Sequence, residues 1–242
     1  MPTPDLTLLE TVTLLPGGHA SPGEGLCAME AIALAMGLPH SDVPACTDAP
    51  LASAFQKVND WPRWESDEAR TAFLRPYLMR LGRLAVAGKR APLPAYGFAA
   101  ADLACRVFAP RALEARFPDH AAKLRGLLPV VDEKTAAAAA AAAAAAYAAA
   151  ADYAAAAADA AAADAAYAAD AAYAAAADAA YAADAAYAAD AAYAADAAYE
   201  DLAGQLLTRL LDVCEAGRWP LTDTDTDTDT DTLTDNPKGD TP

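Results

Sequence analysis

Apolar positions in the first 134 residues recur at helical spacing and are interrupted at short intervals by Pro and Gly. Ser21-Pro22-Gly23-Glu24 has the form of a capping box with proline at the first helical position, which predicts a helix from there to about Met36. Gly37 supplies the stop and Pro39 prevents continuation. A second helix is expected over Leu51–Val58. A third follows Ser66, where Phe73, Leu74, Tyr77, Leu78 and Leu81 share one face and Pro76 should bend or split the helix. Pro92–Gly97 reads as a loop. Shorter helices fit Phe98–Phe108, Arg111–Phe117 and Asp119–Leu127, punctuated by Pro110, Pro118 and Pro129. Leu6–Leu15 is ambiguous. Few runs alternate as a strand does, so the expected fold class is all-α.

From Thr135 to Tyr199 the pattern changes to alanine interrupted only by tyrosine and aspartate, ending as a repeat of Ala-Ala-Tyr-Ala-Ala-Asp. Alanine loses least on entering a helix, and the stretch contains no Gly, Pro, Lys or Arg. An unbroken helix of this length would reach on the order of 100 Å. Tyr and Asp alternate every three residues, so the decorated positions drift by about 60° per step and no amphipathic face is sustained. After the tract, Leu202, Leu206, Leu210 and Val213 recur at helical spacing, with Leu207, Leu211 and Cys214 beside them, and this stripe needs a partner. No Gly or Pro marks a turn in the tract, which favours a straight rod and self-association of two copies through that stripe. A return to the head as a hairpin is the alternative. Thr222–Thr232 alternates Thr and Asp and is expected to be a disordered acidic tail. The expected organisation is therefore a helical head at 1–134, a helical Ala-rich repeat at 135–199, an amphipathic helix at 200–219 and a disordered tail at 220–242.

Charge sharpens this division. Residues 1–134 carry 15 acids and 14 bases, whereas residues 135–242 carry 19 acids and 3 bases. So acidic a half repels phosphate, which argues against nucleic-acid and membrane partners. The tract's tyrosines lack the basic neighbours that a base-stacking platform needs. The alanine run at 136–146 is too short and too weakly apolar to span a bilayer, and the N-terminal residues do not form a signal peptide. Four irregularly spaced cysteines read as reduced thiols, giving a cytoplasmic expectation. The tail's alternate aspartates lack the glycine and bidentate glutamate of a calcium loop.

Candidate chemistry is confined to His19, Cys27, Glu30, His40 and Cys46. Cys27 falls near the start of its predicted helix, where the dipole favours a thiolate, and Glu30 follows on the same side. His19 and His40 lie in the flanking loops and could fold back toward them. Such a set suits a thiol nucleophile with its base, the catalytic candidates being Cys27, His19 and Glu30. It also suits zinc, with His19, Cys27, His40 and Cys46 as candidate ligands. The spacing matches no strong zinc pattern. The plainer alternative is that these residues cap, bury and tie two turns together.

The residues Gly17-Gly18-His19, Ser21-Pro22, Gly25-Leu-Cys27-Ala-Met29-Glu30-Ala31, His40-Ser41-Asp42 and Pro44-Ala-Cys46 resemble a group of proteins from high-GC bacteria and their phages. The likeness runs through Asn59-Asp60 and Leu74-Arg75-Pro76 to about Leu128. The group has no established activity, and some members carry alanine-rich helical tails. The resemblance implies that His19, Cys27, Glu30, His40 and Cys46 are among its defining residues. The expected function is that of a non-enzymatic structural or interaction protein with a helical spacer. A metal- or thiol-dependent enzyme built on His19, Cys27, Glu30 and His40 is the alternative.

Overall fold

The computed structural model describes residues 3–114, 117–151 and 199–221. The fold is all-α, and the described residues contain no strand. Its helices are α1 (Leu8–Thr11), α2 (Ala28–Ala35), α3 (Ala49–Asn59), α4 (Asp67–Val86), α5 (Leu93–Leu103), α6 (Ala109–Leu113), α7 (Pro118–Arg125), α8 (Glu133–Ala151) and α9 (Tyr199–Ala216). A π-helical turn, Ala104–Phe108, joins α5 to α6. No helix among the described residues is long and apolar enough to cross a membrane.

Several boundaries differ from the sequence expectation for local reasons. Ser21–Glu24 forms a turn closed by Glu24 N–H to Ser21 C=O at 3.1 Å, and α2 starts only after Cys27. The reciprocal cap belongs to Cys27 and Glu30 instead. Pro76 does not split α4. It lies on the exposed face with Ala72, so the carbonyl left without an N–H partner is on the solvent side. The segment expected as a loop at Pro92–Gly97 is the start of α5, because proline within a first turn removes an N–H that would have no intrahelical partner there. Pro110 is likewise carried within one continuous helical run, immediately after the π-helical turn.

Larger corrections concern the C-terminal half. Helix α9 packs against α3, α4 and α5. Leu202, Leu206, Leu207, Leu210, Leu211 and Val213 are all at 0% exposure within the same core as Phe55, Leu74, Tyr96 and Phe108. Burying a leucine contributes about 2 kcal/mol, so five of them amount to on the order of 10 kcal/mol. The stripe of Leu202, Leu206, Leu210 and Val213, expected to pair a second copy, is covered by helices of the same chain. Residues 1–134 do not enclose the core without it.

The tract also offers the head a face, contrary to the expectation from its lack of a moment. Ala136, Ala139, Ala140, Ala143 and Ala146 of α8 are buried, at helical spacing, and α8 packs against α7 and the π-helical turn. Alanine lets the backbones approach closely, which a moment calculated from hydrophobicity does not register. Asp132 and Thr135 start α8 reciprocally, with Thr135 N–H to Asp132 Oδ1 at 2.8 Å and Asp132 N–H to Thr135 Oγ1 at 3.0 Å.

Ion pairs and a clasp fix α9 further. Arg80 of α4 pairs with Asp212 at 2.7 Å and Glu215 at 2.6 Å, and Arg111 of α6 pairs with Asp201 at 2.6 Å. Beyond Gly217, whose φ of +69° ends the helix, Trp219 Nε1–H donates to Val130 C=O at 2.7 Å. The exit from α9 is thereby tied to the segment that enters α8. The helix expected beyond Ala151 and the disordered tail beyond Leu221 lie outside the described residues.

Candidate functional site

Glu30 occupies the third position of α2 and is 2% exposed. Its Oε1 accepts the backbone N–H of His19 at 2.7 Å. Its Oε2 accepts the backbone N–H of Cys27 at 2.7 Å and faces His19 Nδ1 at 2.8 Å. Burial alone would raise the Glu30 pKa, but the donors from His19 and Cys27 outweigh it and hold the carboxyl below its ordinary value. His40 Nε2 lies 2.8 Å from the His19 carbonyl and 3.4 Å from Glu30 Oε1. Both neighbours are acceptors, so Nε2 carries the hydrogen. His40 Nδ1 is buried with no hydrogen-bond partner among the described residues.

The loops thus fold back onto α2 as the flanking positions suggested, and His19, Glu30 and His40 converge. What they form is a hydrogen-bonded hub. The two imidazole nitrogens that face Glu30 point hydrogens, not lone pairs, toward it, which is the wrong polarity for ligating a metal at that point. Among the described residues no group of three or more His, Cys, Asp or Glu could hold a metal ion.

Cys27 contributes its backbone to the hub and little else. Its side chain is 3% exposed, and its Sγ faces the Glu30 N–H in the reciprocal cap. Burial, reinforced by the Glu30 charge, pushes the thiol up to about 12. The helix dipole expected to favour a thiolate is overridden by desolvation. Cys46 stands outside the hub, its Sγ against Thr47 Oγ1 at 3.7 Å. All four cysteines are free thiols.

A second polar layer lies beneath the hub and was not singled out by residue type. Asn59, fully buried at the end of α3, accepts the Ala28 N–H at 3.2 Å and donates to Leu15 C=O at 2.9 Å. Arg70 of α4 donates to Asn59 C=O at 2.7 Å and Leu14 C=O at 3.3 Å and pairs with Asp67. Thr71 Oγ1 accepts the Leu14 N–H at 2.8 Å. Asp60 Oδ1 accepts the Gly17 N–H at 2.7 Å. The signal for this layer was the Asn59-Asp60 pair and a basic residue, Arg70, on the apolar face of α4 one turn before Phe73 and Leu74.

Gly25 permits the closure. Its φ is +133°, and a side chain there would place Cβ 2.3 Å from Leu15 Cδ1 and 3.2 Å from His19 Nε2. Beside the hub lies a cavity of about 220 Å³ lined by Gly17, Gly18, Cys27, Asp42, Gln56, Lys57 and Asp60. A larger cleft of about 430 Å³ opens between α4, α5 and α9, around Tyr77, Leu103, Gly204 and Arg209. Comparison of the chain with protein-family models, curated proteins and solved structures found no match.

Proposed function

We propose that this is a non-enzymatic interaction protein, a helical head from which an acidic alanine–tyrosine–aspartate excursion leaves at Ala151 and returns at Tyr199. The observation that carries this reading is the burial of both flanks in one core, Ala136–Ala146 on α8 and Leu202–Val213 on α9. A spacer separates two bodies, whereas these flanks belong to the same body. Residues 152–198 carry eight aspartates and no basic residue, so every charge in this repeat is negative. In this reading, residues 17–46, which resemble the high-GC bacterial and phage group, are an architectural signature, and Glu30 is its central acceptor.

The convergence of His19, Glu30 and His40 favours one competing reading, a thiol- or metal-dependent enzyme. Labelling and metal analysis separate the two. The native chain should contain no stoichiometric zinc, and Cys27 should resist iodoacetamide at pH 8 until the protein is unfolded. Rapid alkylation of Cys27 in the folded chain, or one zinc per chain that Cys27→Ala removes, would establish the enzyme reading instead.

A further inference from the structure

Helices α8 and α9 enter the head as two inserts whose near ends are clasped together. Val130, just before α8, accepts the indole N–H of Trp219, just after α9, at 2.7 Å. The chain therefore leaves the clasp along α8 and comes back to it along α9. With 19 and 18 residues, the two helices place their far ends about 28 and 27 Å from their near ends. Both are seated almost to those far ends, α8 through buried Ala146 and α9 from buried Leu202. A single chain that fills both seats must turn back between Ala151 and Tyr199.

The composition of residues 152–198 works against that turn. They are Ala, Tyr and Asp alone, so of the residues that most readily turn a chain only Asp is present. A linker favours closure within one chain by raising local concentration, and the advantage vanishes when the linker cannot span the two sites. The seat of α9 makes no such demand. It is built by α3, α4 and α5, and the ion pairs run from Asp212 and Glu215 to Arg80, from Asp201 to Arg111 and from Arg209 to Asp102. All of these contacts are reproduced when α9 comes from a second copy.

We infer that two copies of this chain exchange α9, each head seating the α9 of the other copy. Each excursion then links two heads, and the turn between Ala151 and Tyr199 is no longer required. The flanks still belong to one core, now built from two chains. This deepens the interaction reading, on which it rests, by naming a second copy of the chain as the partner.

The test uses the full chain with a protease site introduced at the middle of the excursion. An unlabelled batch and a carbon-13 batch are unfolded, mixed in equal amounts, refolded together and then cut. Native mass spectrometry reads which N-terminal fragment sits with which C-terminal fragment. Exchange predicts a native mass of two chains before cutting. After cutting, heads with fragments of unlike label should be as numerous as heads of like label. Replacing residues 152–198 with an equal number of Gly and Ser residues supplies the missing turns, and should give single-chain particles whose heads carry one label. Three results would each overturn the proposal: a parent mass of one chain, a two-chain mass with like-labelled heads only, or mixed heads that persist in the Gly/Ser variant. None of the three touches the interaction reading itself, which zinc content and Cys27 labelling decide.

Discussion

Removing the Glu30 side chain leaves the backbone N–H groups of His19 and Cys27 without acceptors in a buried place. Each such loss costs about 1–3 kcal/mol, so Glu30→Ala should destabilise the head by roughly 3 kcal/mol in urea denaturation. The same group sets an acid dependence. Its folded pKa lies below that of the unfolded chain, about 4.3, so the unfolded state binds the proton more readily. The stabilisation is complete above about pH 5 and is lost as pH falls through the folded value. Melting temperatures measured between pH 3 and 7 should fall less steeply on the acid side for Glu30→Gln than for the parent. Parallel acid limbs would show that Glu30 is not the responsible group. At this scale the sequence leaves two readings of the same residues open, a thiol or metal site and a set of caps that tie two turns together. His19, Cys27, Glu30 and His40 do gather, but residue type says nothing of whether Cys27 presents its thiol or its N–H, and burial decides for the N–H.

Among the elements, α9 meets α4 at a glycine. A Cβ at Gly204 would come within 2.8 Å of Tyr77 Oη, so the end of the Tyr77 side chain must shift before a methyl group fits there. Gly204→Ala should cost about 1–3 kcal/mol through overpacking. Tyr77→Phe, which removes the clashing oxygen, should restore much of the loss in the double variant. Thermal melts of the two single variants and the double one form the check, and additive losses would sink the idea. Helices α3 and α4 were legible from the spacing of their apolar residues, as were the Ser66 cap and the Gly37 stop. The start of α2 was not, because Ser21-Pro22-Gly23-Glu24 and Cys27-Ala-Met-Glu30 have the same form and only tertiary contacts choose between them. The partner of the α9 stripe was also invisible. Periodicity shows that a face must be covered, but not from which part of the chain the cover comes.

At the scale of the molecule, the core is closed by segments more than 60 residues apart in sequence, from Ala136 to Leu202. A chain ending at Lys134 should therefore show no cooperative melt, since the lost burial, on the order of 10 kcal/mol, is comparable with the 5–15 kcal/mol that stabilises a typical domain. By contrast, replacing residues 152–198 with a flexible linker of about twenty residues changes loop-closure entropy by only about 0.7 kcal/mol. Calorimetry should record a nearly unchanged head, and a collapse of the melt would mean that the excursion takes part in the fold. The clasp between Trp219 and Val130, with the buried faces of α8 and α9, has one further consequence. A protease site engineered into the excursion and then cleaved would cut the polypeptide but not the protein. The two fragments would share one core, migrate together through a native gel filtration column and separate only in denaturant, so that the head can be handled as a complementing pair of pieces.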